Sequence, residues 1–332
     1  MIVSQAPLRL PLGGGGTDLP EYYSKHKGFL ISAAIDRHIY SIFHNRSIEE
    51  TIKLKYSKIE IVKKVNQIEH GIIRECFKKY KIADSTELTS VADVGAGTGL
   101  GSSGAFTVSL LNALHAFKGN SVSPSKLAEE AFEIERKKLR LSVGKQDQYA
   151  SAFGGIIELN ISKNGKVQVS KLKISKEDLL KLQKNTLLFF THYARTSNEI
   201  LSEQAKKIIS ESDKMDAMHV LKQIGFQSKK CLLNGELNEF GKLLHEHWLI
   251  KKSITSKMSN YELDYYYDWA LRNGALGGKI IGAGGGGFFM FYCPENQNRL
   301  KKALVSKGLK EMKFSFEPNG AKILLNTKSD FA

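Results

Sequence analysis

Residues 90–114 read "SVADVGAGTGLGSSGAFTVSLLNAL", and the fold turns on what its glycines do. Taken alone, "DVGAGTG" (93–99) is a strand running into a Gly-rich turn, as found under the nucleoside cofactor of a methyltransferase. The overlapping "GLGSSGAF" (99–106) is a loop that wraps a triphosphate. The first reading demands β-loop-α-β, with an acidic residue ending the second strand to hold ribose hydroxyls. Here a helix expected over Ser103–Phe117 is followed by "KGNSVSPSKLAEEAFEIERKKL", a turn and another helix. No carboxylate lies between Gly95 and Glu129, so the methyl-donor reading fails in its own context.

The phosphate reading passes. Gly95, Ala96, Gly97, Thr98, Gly99, Leu100 and Gly101 form a run of mostly small positions ending at Ser102 and Ser103, which begin the helix. Glycines let the backbone approach a phosphate closely. Free amides at a helix start point at the anion, reinforced by a macrodipole of roughly half a charge. The two hydroxyls either cap the helix or ligate a metal. No Gly-Lys-Ser/Thr is present, so this is not a Walker A loop.

The bulk properties agree with an enzyme of small anions. The 332 residues suggest two domains and suffice for a sizeable core. A formal charge of +15 arises from lysines scattered as singlets and pairs, which give a solvated surface or a field that draws in phosphorylated substrates. Without a basic arm, or a basic stripe interleaved with aromatics, nucleic acid is not the expected partner. No apolar run approaches the roughly 20 residues that span a bilayer, and the N-terminus lacks the pattern of a secretory signal. Cys76, Cys231 and Cys293 are far apart and odd in number, which predicts buried thiols in a cytoplasmic protein.

Strands are expected at Ile2–Leu12, Phe29–Phe43, Thr51–Ser57, "ELTSVADV", "IIELNI", "VQVSKLKI", "TLLFFTHY", "FFMFYC" and "AKILLN". Helices are expected over Gln67–Tyr80, from Pro124 to about Leu139 with Ser123 as N-cap, across "GKQDQYASAFGG", and through most of 197–274. A composition shift near residue 185 divides an α+β domain (1–185) from a second one (186–332) that is helical at first.

At this point the glycine loop resembles the second motif of the GHMP kinases. "APLRLPLGGGGTDLPEYY" is similar to the first motif, "GKQDQYASAFGG" to the acidic motif, and "GGKIIGAGGGGFFMFYC" (277–293) to the third. Order and spacing agree over nearly the whole chain. Within the superfamily, "GGGGTDLPEYY", "ISAAIDRHIY", "FFTHYARTSNEIL" and the third motif are together most like the D-glycero-D-manno-heptose 7-phosphate kinases. The resemblance implies a two-domain fold, ribosomal protein S5 domain 2-like then ferredoxin-like. It implies ATP and Mg²⁺ as cofactors, and transfer of the γ-phosphate to the anomeric hydroxyl of that sugar phosphate. A fucokinase-like enzyme or other hexose 1-kinase is the alternative. The oligomeric state, monomer or homodimer, stays open.

The resemblance also assigns roles. Asp147 takes or orients the proton of the sugar hydroxyl, and Arg9 lies by the transferring phosphate. Residues 95–103 hold ATP. Gly14, Gly15, Gly16, Thr17 and Asp18 meet the sugar, where Gly15-Gly16 replace the Glu-His of galactokinases and open room for a bulkier or phosphorylated sugar. Ser103 and Glu135 hold Mg²⁺, with Glu133 as the alternative to Glu135. The rival for Glu135 is a surface pair with Lys138. Arg195, with Ser197, is a candidate for the distal sugar phosphate; otherwise Ser197 caps a helix and the arginine is on the surface. Gly284 and Gly285 belong to the substrate side, while Gly282–Gly287 as a whole packs against the first glycine loop. His245 and His247 lie on different helix faces with no third ligand spaced to them, and read as structural.

Overall fold

A computed structural model describes residues 1–46, 48–82, 85–193 and 197–327. The first sheet is built on β2 (Gly28–Asn45), eighteen residues rich in β-branched and aromatic side chains. One edge of β2 pairs antiparallel with β1 (Ile2–Gly13). Its other edge is shared, with Ile39–Asn45 meeting β5 (Thr86–Ala92) and Gly28–Ala33 meeting β6 (Ile156–Ile161). The β1–β2 register shifts between Pro7 and Leu8 and again between Pro11 and Gly13, beside prolines that cannot donate to the ladder. A short hairpin of β3 (Ile52–Lys55) and β4 (Ile59–Val62) adds to β5, with β3 parallel to it. The β4 strand, α1 (Pro20–His26) and α6 (Lys176–Asn185) are elements that the sequence pattern did not mark.

The connection from β3 to β5 runs through α2 (Gly71–Lys79). Helix α3 (Ser102–Phe117) is buried on nearly all sides, as its small and leucine side chains allow. It packs on β1 and β2 beside α4 (Pro124–Phe132) and α5 (Gln146–Phe153). The expected helix from Pro124 to Leu139 forms with one change: after Phe132 it widens into a π turn over Glu133–Lys138. Such a turn inserts a residue and re-aims the side chains that follow, often at functional sites. The hairpin β6–β7 (Val167–Lys171) closes this region.

The second sheet is antiparallel, ordered β11-β8-β10-β9, with β8 (Thr186–Phe190), β9 (Gly277–Ile280), β10 (Phe288–Tyr292) and β11 (Lys310–Met312). Between β8 and β9 run α7 (Ser197–Ser210), α8 (Ser212–Asn234), α9 (Leu237–Ile254) and α10 (Tyr261–Arg272), and α11 (Gln297–Val305) follows β10. On α10 the buried side chains are Leu263, Tyr267 and Ala270. Tyr266 and Trp269 are only half-buried. The last strand, β12 (Lys322–Asn326), returns to the first sheet and pairs with β1. Helix α8 packs on β1 and β2, so one apolar core runs from Leu8 and Leu10 through Leu232 and Phe240. The three cysteines are buried and unpaired. Among the described residues no helix is long and apolar enough to cross a membrane.

Candidate active site

A cleft of ≈ 640 Å³ lies where the two sheets' loops converge. Its upper wall is the glycine loop of 95–101, which is clamped from both sides. The Arg9 amide donates to the Leu100 carbonyl (3.0 Å), and the Phe288 amide to the Thr98 carbonyl (3.2 Å). Gly99, at φ +85°, lies so close to the third motif that a Cβ there would overlap the Ile281 carbonyl. Gly282 and Gly287, the two ends of the third motif's glycine run, thus pack backbone to backbone against the first loop, while Gly284 and Gly286 meet Met258 and Tyr193. Gly95, Ala96, Gly97, Gly99, Gly101, Ser102 and Ser103 face the cleft. The Leu100 side chain is in the core, and Thr98 is buried behind the loop.

At the start of α3 the N-cap is Gly101, at φ +80°, and no side chain caps the helix. Its first-turn amides have no acceptor within the helix. The Ser102 hydroxyl is buried with no hydrogen-bond partner among the described residues. Ser103 donates to Glu135 Oε1, and Gln148 Nε2 donates to Glu135 Oε2 (2.6 Å). The π turn sends Glu135 inward, where it is fully buried, so the surface pair with Lys138 does not form. Burial pushes the Glu135 carboxyl up to about 7; the bonds from Ser103 and Gln148 oppose this and the Asp147 charge adds to it. Glu133 points out to solvent and pairs with Lys137 (2.9 Å). A hydroxyl and a buried carboxylate suit Mg²⁺, which takes one or two protein oxygens and fills its remaining positions with phosphates and water. The described residues contain no group of three or more His, Cys, Asp or Glu that could hold a metal ion.

Arg9 and Asp147 meet below the loop. Arg9 Nε donates to Asp147 Oδ1 (2.8 Å), a terminal nitrogen is also 2.8 Å from that oxygen, and Nη1 donates to the Gly99 carbonyl (2.5 Å). The arginine side chain is 5% exposed and the aspartate 31%, so the carboxylate is the member that opens to the cleft. Gly104, one turn into α3, makes room for it: a Cβ there would stand 2.6 Å from Asp147 Cβ.

Asp18 joins the first motif to the acidic one. Its Oδ1 accepts from the Gly16 amide (3.1 Å) and its Oδ2 from the Gln146 amide (2.9 Å). Burial raises its pKa, the backbone bonds oppose this, and Asp147 adds to it. Gly15, Gly16 and Asp18 line the cleft. Gly14 and Thr17 stand behind it, with the Thr17 hydroxyl bonded to the Gly14 and Phe29 carbonyls. Gly284 lines the cleft, but Gly285 is turned away and donates its amide to Met258. Arg195 and the side chain of Ser197 lie outside the described residues.

The cleft also holds His247, which the sequence reading took as structural, and two lysines to which it gave no role. His247 and Lys251, one turn apart on α9, and Lys279 on β9 all line it. His245 is a structural side chain, bonded to the Tyr267 hydroxyl (2.7 Å). His247 is buried, and neither of its ring nitrogens has a partner among the described residues. The signal was available: Phe240, Leu244, His247, Trp248, Lys251 and Ile254 form one buried helical stripe, and two of its members are not apolar.

Residues 60–155 match the GHMP kinases N terminal domain, and residues 228–310 match the GHMP kinases C terminal domain. The chain belongs to the GHMP kinases. It is an ATP-dependent phosphotransferase with their two-domain α+β fold. Among its relatives is the D-glycero-alpha-D-manno-heptose 7-phosphate kinase of Campylobacter jejuni, 32% identical, over 97% of this chain and 98% of that one. A solved D-glycero-D-manno-heptose 1-phosphate kinase from Bacteroides thetaiotaomicron superposes with a TM-score of 0.80 at 29% identity, over 98% and 99% of the two chains. A putative sugar kinase from Campylobacter jejuni gives a TM-score of 0.74 at 30% identity, over 97% of each.

Proposed function

We propose that this GHMP kinase transfers the γ-phosphate of ATP to the anomeric hydroxyl at C1 of D-glycero-D-manno-heptose 7-phosphate, giving the 1,7-bisphosphate and ADP. The observation that carries the proposal is the Arg9–Asp147 pair seated directly beneath the glycine loop. The full-length similarity to a heptose 7-phosphate kinase supplies the acceptor.

Phosphoryl transfer asks a protein mainly for position and charge neutralisation. The α3 N-terminus and the loop amides receive the nucleotide's phosphates, and the Ser102 hydroxyl adds a free donor. Apolar side chains at the far end of the cleft, among them Ile39, Tyr56 and Phe106, form a slot for the base. Ser103 and Glu135 would hold Mg²⁺, which would screen the phosphate charge. Asp147 accepts the proton of the C1 hydroxyl as its oxygen attacks the γ-phosphorus and ADP departs. Arg9 fixes that carboxylate and keeps a second nitrogen on the loop that carries the donor. Asp18, locked by two amides, orients sugar hydroxyls.

The test is ADP release over a panel of hexoses, fucose, heptoses and their phosphates, with phosphorus NMR to locate the new ester. Greatest kcat/KM on heptose 7-phosphate and a new C1 ester are expected. A preference for an unphosphorylated sugar, or an ester elsewhere, would sink the proposal.

A further inference from the structure

We infer that Lys279, with Lys251 and His247, forms a binding site for a phosphate monoester already carried by the acceptor, distinct from the nest that receives the nucleotide. This deepens the proposed function and rests on it in one respect: the sugar is taken to lie against Asp18.

The three side chains come from α9 and β9 and border the cleft. Lys279 is 1% exposed, His247 2% and Lys251 8%. Lys251 spends one hydrogen bond on the Gly282 carbonyl (2.6 Å). Lys279 Nζ and both nitrogens of His247 have no partner among the described residues, yet both side chains border the cleft. Burying an ammonium with no counter-charge costs several kcal/mol, and here two lie in each other's field with Arg9 close by. All three groups are accordingly driven toward their neutral forms. Burial is the main cause for each, followed for Lys279 by the charges of Lys251 and Arg9; Lys251 falls to about 8. A fold that keeps such a cluster against an open cavity is suited to an anion that restores the charge. A monoester dianion has three terminal oxygens for the free donors of Lys279, His247 and Lys251.

The position favours the acceptor's phosphate over ATP's. The nucleotide tail already has the helix amides and the Ser103–Glu135 pair. Lys251 also stands in the field of Asp18, against which the sugar is taken to lie.

The experiment compares wild type with Lys279→Met, varying heptose 7-phosphate, unphosphorylated heptose and ATP in turn. Binding of heptose 7-phosphate without nucleotide is measured by calorimetry. Loss of a charge-assisted contact should raise KM and Kd for the phosphorylated sugar by about 10- to 100-fold. KM for ATP should stay within about twofold, and the preference for the phosphorylated over the plain sugar should shrink by the same factor. Should Lys279→Met fail to fold, as judged by circular dichroism and ADP-induced thermal shift, Lys251→Gln carries the same comparison. A rise in KM for ATP with the sugar unaffected would assign the lysines to the γ-phosphate and overturn the site, as would no change in either. If wild type prefers another phosphorylated sugar, the heptose assignment falls; the same shift measured on that sugar would still support the site.

Discussion

The Ser103 hydroxyl donates a hydrogen bond to Glu135 Oε1 across 32 residues of sequence, joining the first turn of α3 to the π turn that follows α4. In metal-free buffer this buried carboxyl holds its proton up to about pH 7, whereas an unfolded glutamate releases it near 4.5. The unfolded chain therefore binds fewer protons between those values, and stability falls as pH rises through that window. The loss is on the order of 3 kcal/mol. Glu135→Gln removes it. Thermal melts in EDTA should show the variant more stable than wild type at pH 8 and level with it near pH 5, while its Mg²⁺-dependent turnover drops sharply.

Asp147→Asn keeps the shape of the side chain and removes its basicity. Turnover should fall by about 10²- to 10⁴-fold, with ATP binding nearly intact by calorimetry. Normal turnover in this variant would remove the base assignment.

Gly104→Ala adds a methyl group 2.6 Å from Asp147 Cβ, so either α5 or the aspartate must shift. A displacement of about 1 Å at a reacting group can cost about 10²-fold in rate. We expect kcat to fall while KM for ATP changes little, and stability to drop by about 1–3 kcal/mol from overpacking. Wild-type kcat would mean that Asp147 need not be so tightly placed.

Asp18→Asn replaces one acceptor by an amide donor facing the Gly16 or Gln146 amide. The segment should loosen at the sugar end alone. KM for the acceptor is expected to rise about tenfold, equivalent to about 1.4 kcal/mol, without change in KM for ATP.

Much of this was legible from the chain itself. Strand alternation, Ser123 before Pro124, and the paired glycines after Phe153 gave elements close to those observed, because their signals are local in backbone physics. The glycine loop stood out for the same reason: positive φ and close backbone approach need residues without a Cβ, and a helix begins directly after it. The acidic motif likewise supplied Asp147 before any contact was known.

Other features depended on which side chains the fold turned inward. Glu133 and Glu135 are both carboxylates on one turn, and only the π widening decided that one meets Ser103 while the other meets Lys137. β12 is a plain short strand in sequence, and only long-range pairing with β1 sends it back to the first sheet. Sequence located the glycine loop and the helix start after it because backbone geometry is local. Lys251 could be read as a polar member of an apolar helical stripe, but its meeting with Lys279 emerged only in three dimensions, because the cost of burying a charge depends on what the rest of the chain brings beside it.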